Sequence, residues 1–147
     1  MAARTLLRDI EDADIAIFFQ HQKDPESIRL AAFPPRSEHA FRTHWTKLMI
    51  NPEIVKKTVT VDGRVAGYAA SFERAGLTEV CYWLGREFWD RGIATAALTQ
   101  LLPLVSIRPL YARVIKHNVG SLRVLEKCGF KIEREETLAN ARGEKEE

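Results

Sequence analysis

Residues 83–98 constrain the fold of this chain most strongly, because they predict a strand, a turn and a glycine-containing helix start in direct succession. The first N–H groups of a helix have no partner within the helix, and the aligned peptide dipoles add partial positive charge at that end. Gly92 lies at the predicted helix start, where the lack of a side chain lets a ligand approach closely. The segment therefore predicts a backbone site for an anion such as phosphate or pyrophosphate.

The remaining hydrophobic patterns predict one α+β domain with the element order β-α-α-β-β-β-α-β-α-β. Strands are expected at residues 4–9, 55–61, 64–72, 79–84, 109–115 and 130–135. Helices are expected to start at Asp12, after the N-cap Ser37, near Gly92 and near Asn118, with Gly129 ending the last one. The turn pair Asp62-Gly63 between two alternating segments is the clearest hairpin signal.

Residues 25–36 are expected to be irregular, because Phe33-Pro34-Pro35 cannot extend a helix. Structureless segments with aromatic residues often line binding sites, so this segment is the expected binding-site loop. Trp45 shares a helical spacing with its apolar neighbours and is instead expected in the core. The polar residues 139–147 are expected to fray.

Composition restricts the protein to an ordinary globular domain of 147 residues, of which 46% are hydrophobic and 29% charged. The net charge of +2 provides no strong field for nucleic acid. No apolar run reaches the roughly 18 residues of a membrane span, and the start lacks the apolar core of a signal peptide, so a cytoplasmic protein is expected. Cys81 and Cys128 are expected as reduced thiols, and no metal site is expected.

Two common phosphate-binding motifs do not occur around Gly92. The spacing from Gly85 to Gly92 does not match GxxxxGK[ST], and no Lys-Ser/Thr pair follows it. A dinucleotide fingerprint needs three spaced glycines, and only Gly92 is suitably placed. Taken alone, the glycine is as typical of an ordinary turn as of an anion site.

A second segment, residues 118–130, gives the first one a more specific meaning. Together, residues 82–95 and 118–130 resemble the GNAT superfamily of acyl-CoA-dependent N-acyltransferases, in particular its RimJ/RimL-type branch of ribosomal-protein alanine acetyltransferases. In that branch a "YWL" strand end, a "W-x-[RK]-G-[IY]-A-T" helix start and an "N-x-x-S-x-x-x-x-E-K-x-G-F" segment occur in this order. The resemblance extends over about residues 4–136.

The resemblance implies a GNAT-like fold, with a central mixed, mostly antiparallel sheet whose fourth and fifth strands splay apart, flanked by about four helices. The ends of the strands that carry Leu84 and Ile115 would separate, and the pantetheine arm of acetyl-CoA would pair with backbone in the gap. The amides of residues 91–95 would hold the pyrophosphate, and the Asn118 side chain a pantetheine amide. The implied acetyl-CoA contacts are Trp83, Leu84, Trp89, Arg91, Gly92, Ile93, Ala94, Thr95 and Asn118.

Direct transfer of an acetyl group to an amine needs a base for the amine, an acid for the departing thiolate and a donor for the oxyanion. By the resemblance, Ser121 is the expected acid, and its alternative role is that of a plain hydroxyl at a helix start. Glu79 is the expected base, directly or through water, with a surface ion pair as the alternative. A free backbone N–H near Leu84 is the expected oxyanion donor.

The sequence departs from the branch in two places. Asp90 stands where the branch often has glycine, and an acid there either faces solvent or weakens the binding of pyrophosphate. The sequence also stops at about the position of the family's seventh strand, so that strand is expected to be short, missing or supplied by another chain. The expectation for the oligomeric state is accordingly a monomer or a homodimer.

The leading functional hypothesis is an N-acetyltransferase that moves an acetyl group from acetyl-CoA to a primary amine, either a peptide N-terminus or a small molecule. Two alternatives stay open. One is a GNAT-like module that binds CoA without catalysis, and the other is a small-molecule amine acetyltransferase of the resistance or polyamine type. No nucleic-acid or membrane partner is expected.

Overall fold

A four-stranded antiparallel sheet with the order β1-β2-β3-β4 forms the centre of the fold. A computed structural model describes residues 4–31, 36–114, 118–132, 138–139 and 145–146. The sheet strands are β1 (Thr5–Arg8), β2 (Val55–Val61), β3 (Arg64–Arg74) and β4 (Leu77–Leu84). The hairpin predicted at Asp62-Gly63 joins β2 to β3 and is confirmed.

Helices cover both faces of this sheet, and the α+β class is confirmed. They are α1 (Asp12–Gln22), α2 (Pro25–Ala31), α3 (Glu38–Ile50), α4 (Ile93–Leu101) and α5 (Val119–Lys127). Short 3-10 turns span Arg86–Phe88 and Leu102–Leu104, and two-residue strands β5 (Leu138–Ala139) and β6 (Lys145–Glu146) pair with each other.

The two faces of the sheet carry separate hydrophobic clusters. On one face, α4 and α5 pack their apolar side chains, such as Leu98 and Leu125, against Val59 and Val80. On the other face, α1 and α3 contribute Phe18 and Trp45, whose ring centroids lie 5.1 Å apart. Trp45 is 2% exposed, which confirms its predicted place in the core.

Local signals at the helix ends explain why these helices begin and end where they do. The Ser37 hydroxyl accepts the N–H of Ala40 at 3.2 Å, so the predicted N-cap is confirmed. After α5, Phe130 donates its N–H to the Leu125 carbonyl at 2.9 Å, and Gly129 takes the predicted position just beyond the helix end.

The prediction of irregular structure over residues 25–36 is wrong for its first part, because residues 25–31 form α2. Pro25 occupies the first helical position, where a missing N–H costs nothing. The Asp24 carboxylate accepts the N–H of Ser27 at 2.9 Å and caps the helix. The prolines that argued against a helix stand at positions 34 and 35, outside the described residues.

The predicted strand over residues 109–115 is reduced to one residue in the part of it that the structure describes. Tyr111 forms a parallel bridge with Glu79, while residues 112–114 are not in a strand. The splay of two full strands is therefore not shown. The predicted strand over residues 130–135 is also wrong at its start, because Phe130 is bonded into the end of α5 and residues 130–132 are not extended into a sheet.

Asp14 links three elements through its buried carboxylate, which is 3% exposed. It accepts hydrogen bonds from Arg8 on β1 at 2.7 and 3.0 Å, from Thr58 on β2 at 2.7 Å, and from the Glu11 N–H at 2.9 Å. Burial acts to raise the pKa of Asp14, but these hydrogen bonds outweigh it and the pKa lies below its ordinary value. The ionised carboxylate therefore stabilises the folded state.

We expect Asp14→Asn to lower the free energy of unfolding by roughly 2–4 kcal/mol at pH 7, because the amide leaves Arg8 without its charge partner. Since the folded pKa is depressed, the stabilisation is complete above about pH 4 and is lost as pH falls through the folded pKa. Urea unfolding of the wild type and of Asp14→Asn should thus show a difference in the free energy of unfolding that becomes smaller below about pH 4. The control is Asp9→Asn, because the Asp9 carboxylate also pairs with a cation, Lys57, but is 90% exposed. Equal losses of unfolding free energy in the two variants would contradict a special stabilising role of the buried Asp14 carboxylate.

Candidate functional site

The outer edge of β4 is open towards its end. Val80 donates its N–H to the Tyr111 carbonyl at 2.8 Å across this edge, whereas Gly85 donates to Ala66 of β3 at 2.8 Å on the other side. Backbone groups alternate in direction along an antiparallel strand, so the N–H of Leu84 faces the same outer edge as that of Val80. Among the described residues, no backbone acceptor reaches the Leu84 N–H on that edge.

The opposite edge of β4 is held closely to β3 at the same level. Gly67 pairs with Leu84, beside a register shift between β2 and β3. A Cβ on Gly67 would lie 1.9 Å from the Trp83 carbonyl oxygen, so a side chain cannot be accommodated there. A bulge next to a strand end is a common way to set the direction of the chain at a binding site.

The turn after β4 is fixed by Trp89, which was predicted to contact acetyl-CoA. Trp89 donates its indole N–H to the Leu84 carbonyl at 3.1 Å, across the 3-10 turn. Phe88 is buried between the sheet and α4, at 2% exposure. The carbonyl of Leu84 is therefore occupied, which leaves its N–H as the polar backbone group at this strand end.

The start of α4 presents unpaired N–H groups, as predicted for residues 83–98. Gly92 precedes the helix with φ +75°, a conformation that other residues adopt only with strain, and no side chain caps it among the described residues. The first bond within the helix runs from the Ala96 N–H to the Gly92 carbonyl at 3.1 Å. The N–H groups of residues 93–95 precede it and have no helical partner. Ile93 is buried and anchors the turn, whereas Gly92 is exposed.

Two guanidinium groups lie close to this helix start. The Arg91 and Arg64 guanidinium carbons are 5.8 and 5.2 Å from the centroid of the Phe88 ring. Arg64 also bonds Glu87 at 3.0 Å. Arg91 was predicted from its place in the sequence motif, whereas Arg64 was not, because it stands at the start of β3, far from residue 91 in the sequence.

Asp90 is exposed and adopts φ +58°, in the left-handed region. Glycine enters this region without strain, and aspartate does so more readily than most other residues. The backbone at this position would therefore accommodate glycine without strain. The carboxylate adds a negative charge to the loop that leads into the unpaired N–H groups of α4.

The start of α5 meets β4 through a side-chain hydrogen bond. The Ser121 and Tyr82 hydroxyl oxygens lie 2.8 Å apart. Asn118 caps the helix by accepting the Ser121 N–H on its side-chain oxygen at 3.2 Å. The two sequence segments that carried the family resemblance are therefore joined in space, and Asn118 sets the position of Ser121.

Glu79 lies on the opposite face of the sheet from Tyr82, because side chains alternate along β4. It is 3% exposed, and its Oε2 atom lies 2.9 Å from Arg113 Nε and 3.5 Å from Arg74 Nε. The structure thus places the predicted base in a buried ion pair. Trp83 shares that face, and its indole nitrogen is buried without a hydrogen-bond partner in the described chain.

His21 is a further residue near the strand end that sequence patterns did not reveal. Its ring lies against Gly85, where an added Cβ would be 2.6 Å from His21 Nε2. Burial lowers the pKa of His21 although Glu87 acts to raise it, so the imidazole is neutral at pH 7. The predicted loop Phe33-Pro34-Pro35 and the predicted strand-end residue Ile115 lie outside the described residues.

The described residues contain neither a candidate metal site nor a candidate membrane-spanning helix. No set of three or more His, Cys, Asp or Glu side chains there is grouped closely enough to hold a metal ion. None of the described helices combines the length and apolar character needed to cross a membrane.

The chain is similar in sequence to known proteins. Residues 4–131 match the family described as the acetyltransferase (GNAT) domain. The uncharacterized N-acetyltransferase p20 of Bacillus licheniformis is 24% identical over 144 residues, which cover 88% of this chain and 80% of that protein.

Two solved structures share the fold over nearly the whole chain. A GNAT-family acetyltransferase from Bacillus anthracis has a TM-score of 0.76 at 20% identity, covering 91% of this chain and 84% of that one. Spermidine N-acetyltransferase from Vibrio cholerae, in complex with CoA and spermine, has a TM-score of 0.76 at 16% identity, covering 92% and 84%.

Proposed function

The chain belongs to the acetyltransferase (GNAT) family, whose members use acetyl-CoA, and on that premise we propose that it moves an acetyl group from acetyl-CoA to a primary amine by direct attack. The observation that carries this proposal is the open edge at Leu84. The Leu84 N–H is unpaired among the described residues, the unpaired N–H groups of α4 follow it in the chain, and the Ser121 hydroxyl bonds Tyr82 of the same strand.

The helix start fits the pyrophosphate of acetyl-CoA. The N–H groups of residues 93–95 are unpaired within α4, and a Cβ on Gly92 would meet nothing within 4 Å, so the approach is open. Arg91 adds positive charge just before the helix, whereas the charge of Arg64 is paired with Glu87. Thr95 lies in the same turn, with a hydroxyl available for a phosphate oxygen.

The open edge of β4 fits the pantetheine arm and the thioester. An extended ligand can pair with an unpaired strand edge as an additional strand would. When bound, acetyl-CoA supplies the reactive thioester, and the N–H of Leu84 is the donor we assign to the oxyanion. Asn118 holds its own helix through its side-chain oxygen, so its side-chain NH2 is the group we assign to a pantetheine carbonyl.

Ser121 is the proposed acid for the departing thiolate, and Glu79 remains the proposed base. The Oε2 atom of Glu79 faces the guanidinium groups of Arg113 and Arg74. We therefore assign it the proton of the amine through an intervening water rather than by direct contact.

The acceptor we propose is a peptide N-terminus, as in the RimJ/RimL-type branch that the residues around Trp83, Gly92 and Ser121 resemble. A small-molecule amine is the second candidate. It is supported by the shared fold with a spermidine N-acetyltransferase.

Incubation with acetyl-CoA and a panel of amines, read by release of free thiol, tests the activity. The panel contains peptides starting with alanine or serine, spermidine and an aminoglycoside. We expect turnover with at least one acceptor, and a kcat about 10²-fold lower for Ser121→Ala with little change in the acetyl-CoA affinity. Binding of acetyl-CoA without turnover on any amine would contradict the proposal and identify a CoA-binding module.

We expect Asp90→Asn to bind CoA about 2–5-fold more tightly, because it removes a negative charge near the pyrophosphate while keeping a residue that tolerates positive φ. Isothermal titration calorimetry at low and high salt measures this, and the gain should shrink at high salt. Asp12→Asn, on α1 at the other face of the sheet, makes the same change in net charge and should leave the affinity unchanged. Equal gains in both variants would show a net-charge effect and contradict a local role of Asp90.

A further inference from the structure

We propose that Tyr82 positions Ser121 and passes it a proton, so that the proton given to the departing thiolate is replaced from the phenol. This inference rests on the proposed acetyl transfer and adds a residue to it. It starts from the distance of 2.8 Å between the Tyr82 and Ser121 hydroxyl oxygens, which come from β4 and from the first turn of α5.

The contacts around this pair hold the two hydroxyls at hydrogen-bonding distance, and either of them can donate to the other. Ser121 is held by its own backbone N–H, which donates to the Asn118 side chain at 3.2 Å. Tyr82 is half-buried on the same face of β4 as Leu84, so the pair lies beside the backbone N–H assigned to the oxyanion. If Tyr82 donates to Ser121 Oγ, the serine proton is free to point towards the open edge.

The acidities of the groups explain why a serine needs such a partner. An aliphatic hydroxyl is about as weak an acid as water. A thiol has a pKa of about 8.5, so a lone serine is a poor proton donor to a thiolate. Tyrosine has an ordinary pKa of about 10, and although burial raises the pKa of Tyr82 above that value, its phenol is still closer in acidity to the thiol than a serine hydroxyl is.

Tyr82 is present as the phenol when the reaction needs it. Burial raises the pKa of Tyr82, the Ser121 hydrogen bond offsets this in part, and Cys128 at the end of α5 acts to raise it further. No charged group of the described residues on α4 or α5 acts on it in the opposite direction. The phenol therefore keeps its proton across the neutral range.

The step balances in atoms and electrons. The amine nitrogen forms a bond to the acetyl carbon, the C–S bond breaks, and its electron pair stays on sulfur. Ser121 gives its proton to sulfur and receives the Tyr82 proton. The phenolate then recovers a proton from water, to which the amine has lost one, so the products are an amide and a free thiol.

Tyr82→Phe tests the relay, because it keeps the ring and removes only the hydroxyl. We expect kcat to fall about 10–10²-fold with the KM for acetyl-CoA nearly unchanged. The double variant with Ser121→Ala should lose little more than either single variant, since the two hydroxyls act as one unit. The alkaline limb of the kcat–pH profile should be lost in Tyr82→Phe.

Tyr111→Phe is the matched control, because Tyr111 contacts β4 through its backbone bridge. It should retain the wild-type kcat and pH profile. A Tyr82→Phe variant with kcat within about twofold of wild type, or with an unchanged alkaline limb, would overturn the relay and leave the hydrogen bond as a structural contact.

A second readout needs no acceptor amine. In the complex with CoA, a proton donor near sulfur lowers the pKa of the bound thiol, which ultraviolet thiolate absorbance follows during a pH titration. Tyr82→Phe and Ser121→Ala should raise that pKa by similar amounts, and Tyr111→Phe should not. An equal thiol pKa in all four proteins overturns the relay while the acetyl transfer stands, whereas a protein that does not bind CoA overturns both.

Discussion

The outer edge of β4 is the feature on which the rest of the site depends. β3 covers one side of this strand along its whole length, whereas the described pairing on the other side consists of the bridge between Glu79 and Tyr111. Beyond that bridge the backbone N–H of Leu84 faces outwards, and the Leu84 carbonyl is already bonded to Trp89. An unpaired donor at a strand edge is normally a liability, and in the proposed function it pairs with an extended ligand.

Two helix starts converge on this edge from one face of the sheet. α4 brings unpaired N–H groups after Gly92, and α5 brings Ser121 to Tyr82. The opposite face carries Glu79 in its ion pairs and His21 on Gly85. This separation of Ser121 from Glu79 suits the proposed direct transfer. That reaction needs a proton donor for the thiolate and a proton acceptor for the amine, on two sides of one acetyl carbon.

Sequence patterns predicted the parts of the fold that local signals control. Ser37 caps α3 through its own hydroxyl, and both residues of Asp62-Gly63 adopt the positive φ that their residue types favour, so both features can be predicted from local residue types. The start of α4 was predicted for the same reason. The helix α2 was not predicted, because the prolines at 34 and 35 were taken to exclude a helix over the whole of residues 25–36. They stand beyond its end, and Pro25 at its first position is favourable. The contacts of Arg64, His21 and Tyr82 with the site join residues far apart in the chain, and no local spacing encodes them.

The central claim is that backbone N–H groups at the end of β4 and the start of α4 hold CoA. Titration of the 15N-labelled protein with CoA, followed by amide chemical shifts, tests it most directly. We expect the largest chemical-shift changes at the N–H groups of Leu84 and residues 93–95. Binding of CoA that leaves these amides unmoved, with the changes concentrated elsewhere on the protein, would contradict it.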